Sequence, residues 1–324
     1  MKKRVLVCGG AGFLGSHLCE ALLARGHHVL CLDDFSTGRR SNVAHLMSMP
    51  RFSLIEHDIV EPVRIATDEI YNLACPASPP HYQRDPIRTV KISVIGSMNL
   101  LDLAARLRIP IFQASTSEVY GDPELHPQNE QYRGSVSTIG PRACYDEGKR
   151  CAETLFFDYQ RKHQVNVRVA RIFNTFGPRM QPDDGRVISN FIVQALQNLP
   201  ITLYGDGSQT RSFCYVTDLI SGFIRMMEHP GPLPGPINLG NPAERTVRNT
   251  AESIIAMTGS SSVIVTRPLP EDDPKRRCPD IRQAMNLLTW CPKTSFENGL
   301  KQTVKYFQAE IGAGEYGGHT KIPA

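Results

Sequence analysis

Apolar residues in the first half of the chain fall into short unbroken runs separated by longer amphipathic stretches. The runs at Val5-Leu6-Val7 and over residues 28–32, 52–55, 70–74 and 111–114 predict strands, and a sixth is expected over 165–173. Residues 13–25, 89–107 and 143–163 carry helical periodicity. Unbroken apolar strands alternating with helices predict a parallel sheet covered on both faces, a doubly wound α/β fold. Near Gly177 proline and glycine rise and the elements shorten, with runs at 201–204, 236–239 and 263–267. The expected organisation is a nucleotide-binding domain over 1–176 and a smaller substrate-binding lobe over 177–311. A segment near 213–240, with a helix over 216–227, is expected to return to the first domain. Residues 312–324 are glycine-rich without periodicity and predict a disordered tail.

Composition narrows the class. Lys+Arg 36 against Asp+Glu 32 leaves a net charge of +4, and the longest basic run is Lys275-Arg276-Arg277. Nucleic-acid binding needs a basic stripe, so no such partner is expected. Lys2-Lys3-Arg4 opens like a signal peptide, but Gly9, Gly10, Gly12 and Gly15 break the apolar helix a signal requires, and no apolar run is long enough to span a membrane. Nine cysteines without a Cys-x-x-Cys pair, several inside apolar runs, point to free thiols in a reducing, cytoplasmic setting. His-Glu-x-x-His is also absent, so no metal is expected.

Gly9-Gly10-Ala11-Gly12-Phe13-Leu14-Gly15 lies between the first strand and the first helix. Glycines at that junction let the backbone turn and approach a pyrophosphate, which rests on the helix N-terminus in the Rossmann manner. The spacing differs from the commoner Gly-x-Gly-x-x-Gly. The second strand ends on Asp33-Asp34, with Asp33 eighteen residues after Gly15. A carboxylate there accepts both ribose hydroxyls and favours NAD over NADP, whereas Arg39 and Arg40 pull toward a 2′-phosphate. Asp58 ends the third strand either as a cap on the adenine amino group or as a surface turn acid.

Tyr145-Asp146-Glu147-Gly148-Lys149 puts Tyr145 and Lys149 one turn apart on one helix face. In a nucleotide-binding fold the pair reads as a general base and its tuner. The ammonium and a nicotinamide's positive charge both favour the phenolate, and are expected to draw the phenol down from ~10. The fifth strand runs into Ser115-Thr116-Ser117-Glu118-Val119-Tyr120-Gly121. Open α/β sheets hold ligands at the C-terminal ends of strands, so Thr116 and Glu118 are sited to meet substrate. Ser115 and Ser117 are expected to cap backbone.

These segments, with Arg171-Ile172-Phe173-Asn174-Thr175-Phe176-Gly177-Pro178-Arg179, resemble the extended short-chain dehydrogenase/reductases that act on nucleotide sugars. Within them the chain resembles the UDP-glucuronate decarboxylase (UDP-xylose synthase) family over about residues 3–310. That likeness rests on Cys75-Pro76-Ala77-Ser78-Pro79-Pro80-His81-Tyr82, Cys144-Tyr145-Asp146-Glu147-Gly148-Lys149-Arg150, Asp184-Gly185-Arg186-Val187-Ile188-Ser189-Asn190-Phe191, Gln209-Thr210-Arg211-Ser212-Phe213 and Asp272-Asp273-Pro274-Lys275-Arg276-Arg277. It implies NAD held by Gly9, Gly12, Phe13, Leu14, Gly15, Asp33, Asp34, Ser36, Thr37, Gly38, Asp58, Ile59, Leu73, Ala74, Lys149, Thr175 and Arg186. It implies a UDP-sugar on Lys91, Asn174, Ser189, Tyr204, Gln209, Arg211 and Arg277, with Tyr204 on the uracil. A homodimer is implied too, built as a four-helix bundle from the 89–107 and 143–163 helices. Two positions depart from the family: Ser137-Thr138 stands where Asn-Pro is usual, and Ile92 where Thr is usual.

The implied reaction begins with Tyr145 removing the 4-hydroxyl proton while C4 gives a hydride to NAD. Related 4,6-dehydratases carry an acid where Ser117 stands, and galactose-type epimerases lack Glu118. A glucuronate oxidised at C4 is a β-keto acid whose ketone accepts the electrons left by CO2, so no further cofactor is required. Thr116 is expected to hold the 4-oxygen and Arg277 to lie near the carboxylate. Glu118 is expected to orient the sugar and the water or proton delivered at C5. UDP-xylose and CO2 are the expected products. Two rivals share the oxidation step: release of a UDP-4-ketopentose, and 4-epimerisation of a UDP-hexuronate without loss of CO2. A regulator that binds NAD without catalysis is opposed by the intact Tyr145 and Lys149.

Overall fold

The computed structural model describes residues 2–268 and 276–312. Along the chain come β1 (Arg4–Cys8), α1 (Phe13–Ala24), β2 (His28–Asp33), β3 (Phe52–Glu56), β4 (Glu69–Asn72) and the short α2 (Pro79–Tyr82). Next, α3 (Pro86–Lys91) continues through a π-turn (Ile92–Gly96) into α4 (Ser97–Leu107), before β5 (Ile111–Thr116), α5 (Ala143–His163) and β6 (Val167–Ile172). The second part holds β7 (Thr175–Phe176), α6 (Val187–Leu196), β8 (Ile201–Tyr204), β9 (Thr210–Ser212), β10 (Cys214–Tyr215), α7 (Val216–Glu228) and β11 (Ile237–Leu239). β12 (Glu244–Thr246), α8 (Val247–Thr258), β13 (Ile264–Arg267), β14 (Arg276–Arg277), α9 (Arg282–Leu288) and α10 (Phe296–Gly312) complete it.

Seven strands pair in the order β11-β6-β5-β4-β1-β2-β3, all parallel. The strands are buried on both faces because α1 and α7 cover one side and α3, α4 and α5 the other. The order reverses between β1 and β4, which opens a crevice beyond their C-terminal ends. The later elements gather around Phe191, Ile254, Leu300 and Phe307 as a second core. From that part, α7 and β11 return to the sheet, β11 as its edge strand beside β6.

The helix expected from residue 89 begins at Pro86, because Asp85 caps it by accepting the Arg88 N–H and proline fits its first turn. The strand expected over 70–74 ends at Asn72, and Leu73 and Ala74 turn out of the sheet to line the crevice. No helix among the described residues is long and apolar enough to cross a membrane. The tail read as disordered lies outside the described residues, except for Gly312, which ends α10. The Asp272-to-Lys275 part of the basic motif lies outside them as well.

Two glycines fix the β1–α1 turn. Gly9 has φ +74°, and a Cβ there would meet the Leu73 and Ala74 backbone at 2.8 Å. At Gly15 a Cβ would fall 2.0 Å from the Gly9 carbonyl oxygen. Gly15→Ala is therefore expected to lower unfolding free energy by about 1–3 kcal/mol or more through overpacking. Urea denaturation checks this, and an unchanged midpoint would refute the tight turn.

Candidate active site

One continuous cleft runs along the crevice from the β2 end to the β5 end. Every residue predicted to hold the dinucleotide lines it, from Gly9, Gly12 and Asp33 to Thr175 and Arg186. The turn fits a pyrophosphate: Gly12 precedes α1, and no side chain caps that helix start. The Asp33 carboxylate accepts the N–H groups of Ala11 and Phe35, both at 2.9 Å, which ties the glycine turn to the end of β2. Arg39 pairs with Glu310 at 3.1 Å, and Arg40 pairs with Glu56 while lying 4.1 Å over the Phe35 ring. Both cations thus have acidic partners in the chain, which favours NAD at the ribose. At the adenine end Arg88 bridges Asp34 at 2.7 Å and Asp58 at 3.1 Å. Across the groove the Gln181 side chain donates to the Thr37 carbonyl, and Asp184 holds Arg186 at 2.6 Å.

Tyr145, Lys149, Thr116, Glu118 and Arg277 meet at the other end of this cleft. The Lys149 ammonium donates to the Ala114 carbonyl at 2.9 Å and lies 5.8 Å from the centre of the Tyr145 ring. Tyr82 stacks on Tyr145 with centroids 5.0 Å apart and planes within 8°. Burial pushes the Tyr145 phenol above its ordinary value and the nearby Cys75 adds to this, while a hydrogen bond with Thr116 acts the other way. Burial of the ring is the largest cause of this shift. A nicotinamide cation is the remaining charge that favours the phenolate. Ser115 caps no backbone, in contrast to expectation: its hydroxyl donates to Glu153 at 2.6 Å, and Glu153 also pairs with Arg171 at 2.7 Å.

Glu118 is the electrostatic centre of the site. Arg277 grips both of its carboxylate oxygens, one at 2.8 Å, and Arg142 reaches it at 2.7 Å. Burial opposes the charge, but Arg277 and Arg142 prevail and hold this carboxyl below the usual range. Asp146 beside it goes the other way: burial and the Glu118 charge push it up to about 7. One Asp146 oxygen is buried without a hydrogen-bond partner among the described residues, as are the Tyr82 hydroxyl and the Asn174 amide oxygen.

Of the predicted sugar contacts, Asn174 and Arg277 line the cleft. Arg211 is buried, and its charge helps hold Glu118 ionised. Ser189 is buried in α6 with its hydroxyl donating to the Arg186 carbonyl at 3.0 Å, Lys91 points to solvent, and Tyr204 is 44% exposed at the end of β8. Gln209 donates to the Tyr204 carbonyl at 2.7 Å, so these two are brought together outside the cleft lining. Of the two departures, Ile92 lines the cleft, whereas Ser137 and Thr138 sit on an exposed loop. Arg142, Arg88, Tyr82 and Asp146 escaped the sequence reading. Arg142 had one signal: it precedes Tyr145 by about one helical turn, and so faces the same way.

Residues 5–240 match the model of the NAD dependent epimerase/dehydratase family. UDP-glucuronic acid decarboxylase 1 of Danio rerio is 54% identical over 310 residues, spanning 96% of this chain and 74% of that protein. UDP-glucuronic acid decarboxylase 2 of Arabidopsis thaliana is 54% identical over 308 residues, spanning 95% and 69%. Among solved structures, UDP-glucuronic acid 4-epimerase from Bacillus cereus, in complex with UDP-glucuronic acid and NAD, matches with a TM-score of 0.85 at 28% identity, covering 94% of this chain and 99% of that one.

Asp146 makes a pH prediction with a fixed sign. The unfolded chain ionises it near 3.8, whereas the folded chain keeps it protonated until about 7. Stability from this group is complete below the unfolded value and is lost as pH rises through the folded one. The stability of Asp146→Asn minus that of wild type is therefore expected to climb between those values, by up to about 1.4 kcal/mol per pH unit, and then level off. Urea melts across pH check it, and a flat difference would contradict the buried acid.

Proposed function

The chain belongs to the NAD dependent epimerase/dehydratase family, and from that premise we propose that it decarboxylates UDP-glucuronate to UDP-xylose and CO2. The observation that carries this reading is the ionised, half-buried Glu118, held between Arg277 and Arg142 at the end of β5 and beside Tyr145. NAD, when bound, supplies the acceptor for the C4 hydrogen and returns it at the end of the cycle. Tyr145 takes the 4-hydroxyl proton and later gives it back, Lys149 favours the phenolate, and Thr116 holds the 4-oxygen.

Loss of CO2 from the 4-keto sugar needs a carboxylate that is guided but not held too tightly. Uniform binding of a leaving carboxylate gives no acceleration. Glu118 already engages Arg277, so the cation orients the substrate's carboxylate without forming a full ion pair with it. An ionised Glu118 accepts hydrogen bonds and so orients a water toward C5. The balance requires one solvent proton at C5 for each CO2 released. Epimerisation needs the ketone to turn over in the site, and a fixed Glu118–Arg277 pair beside the sugar opposes that rotation.

Pairing of two chains through α3, α4 and α5 is part of the same proposal. Ile87 is 70% exposed, and Val90, Ile95 and Met98 are also exposed along this helix. Such an apolar row seeks a partner, and a second copy supplies the same row. A reducing, cytoplasmic setting fits the nine cysteines, all of them free.

NMR of UDP-glucuronate with NAD in D2O is expected to show UDP-xylose with one deuterium at C5. Tyr145→Phe is expected to slow this by roughly 10²–10⁴-fold. UDP-galacturonate without CO2 would hand the reading to epimerisation, and a UDP-4-ketopentose would mean that the return step fails. Light scattering is expected to find a dimer at micromolar concentration and a monomer for the Ile87→Glu, Met98→Glu variant. A monomeric wild type would refute the pairing.

A further inference from the structure

A second cluster of chemically competent side chains lies outside the cleft. His126 Nε2 is 3.0 Å from a carboxylate oxygen of Glu244, and the Cys278 thiol completes a group whose three donor atoms all lie within 4.8 Å of one another. The frame around them is tightly tied. Gln128 and Cys278 exchange two hydrogen bonds, Gln128 N–H to the Cys278 carbonyl and Cys278 N–H to the Gln128 side chain, both at 2.9 Å. Thr210 donates to the other Glu244 oxygen at 2.5 Å. Imidazole and carboxylate line a partly open face, while the thiol is buried behind them.

From this geometry we propose that His126, Glu244 and Cys278 form a binding site for a thiophilic divalent cation of the zinc class, with water as a fourth ligand. Sulfur, nitrogen and oxygen donors around a tetrahedral zinc ion lie roughly 3.3–3.8 Å apart, given its bond lengths. The present separations, 3.0 Å between His126 and Glu244 and no more than 4.8 Å for any pair, bracket that range. A thiolate among the ligands selects zinc-like ions and rejects magnesium and calcium, which take oxygen donors.

The location gives the site a consequence. Cys278 follows Arg277 directly, His126 lies eight residues beyond Glu118, and Glu244 opens β12, which pairs with β9 alongside β14. The three ligands thus come from the segments that bring Arg277 to Glu118. A cation held by all three fixes the lobe strand against the loop that leaves β5. No short sequence motif announces it, because the ligands are distant in the chain.

Cobalt titration of the chelator-treated full chain tests the proposal. One Co2+ per chain is expected, with a thiolate-to-cobalt charge-transfer band and tetrahedral visible bands that zinc displaces. Cys278→Ser is expected to abolish the charge-transfer band. His126→Ala, at an exposed position, is expected to weaken binding by more than the roughly 10–100-fold that loss of an outer partner costs. Cys151→Ser with Cys291→Ser, which removes the two exposed thiols, is expected to leave the spectrum intact. Absence of binding, a band lost with Cys151 and Cys291, or unchanged affinity in His126→Ala would each overturn it.

Discussion

The site is organised by one half-buried carboxylate between two guanidinium groups. Glu118 comes from the end of β5, Arg142 from the start of α5, and Arg277 from β14 in the second part of the chain. Removing one partner of a fully buried pair leaves an uncompensated charge and costs about 3–5 kcal/mol, an upper bound for this partly exposed cluster. The contact of β14 with the end of β5 therefore depends on the charge of Glu118. Burial, helped by the same charge, pushes Asp146 up to about 7 and raises the Tyr145 phenol. Burial thus raises Asp146 and the Tyr145 phenol, while the two arginines hold Glu118 down, within one small volume.

The fold does not separate the chemistries that use it. A 4-epimerase that binds UDP-glucuronic acid and NAD shares the architecture over 94% of this chain. In the proposed reaction the glycine turn, Asp33, Tyr145 and Lys149 serve the C4 oxidation, a step that decarboxylation and epimerisation would share. What this sugar then undergoes depends on the side chains beyond β5, where the Glu118 clamp stands. Function is carried by the site, and the fold supplies its frame.

What was legible in the sequence was local. Strand ends, the glycine turn and the residues one helical turn apart are set by short-range geometry, so the lining of the cleft along the β1–α1 turn and the end of β2 was readable from the sequence. Contacts between distant segments were not: Arg88 bridging Asp34 and Asp58, Tyr82 stacked on Tyr145, and Arg142 on Glu118 depend on register and packing. The burial that raises the Tyr145 phenol was hidden for a related reason. Counting charges along the helix registers Lys149 but misses the desolvation of a ring enclosed by Tyr82 and Cys75. Ser115 was likewise misread, because its partner Glu153 lies on a helix 38 positions away.

A double-mutant cycle on decarboxylation tests the central claim most directly, comparing Glu118→Gln, Arg277→Met and the double variant with wild type. If the two side chains act as one clamp, the double variant is expected to be little slower than the worse single one, with a coupling of roughly 0.5–3 kcal/mol. Losses that simply add, to within about 0.5 kcal/mol, would show that Glu118 and Arg277 act independently and would contradict the account.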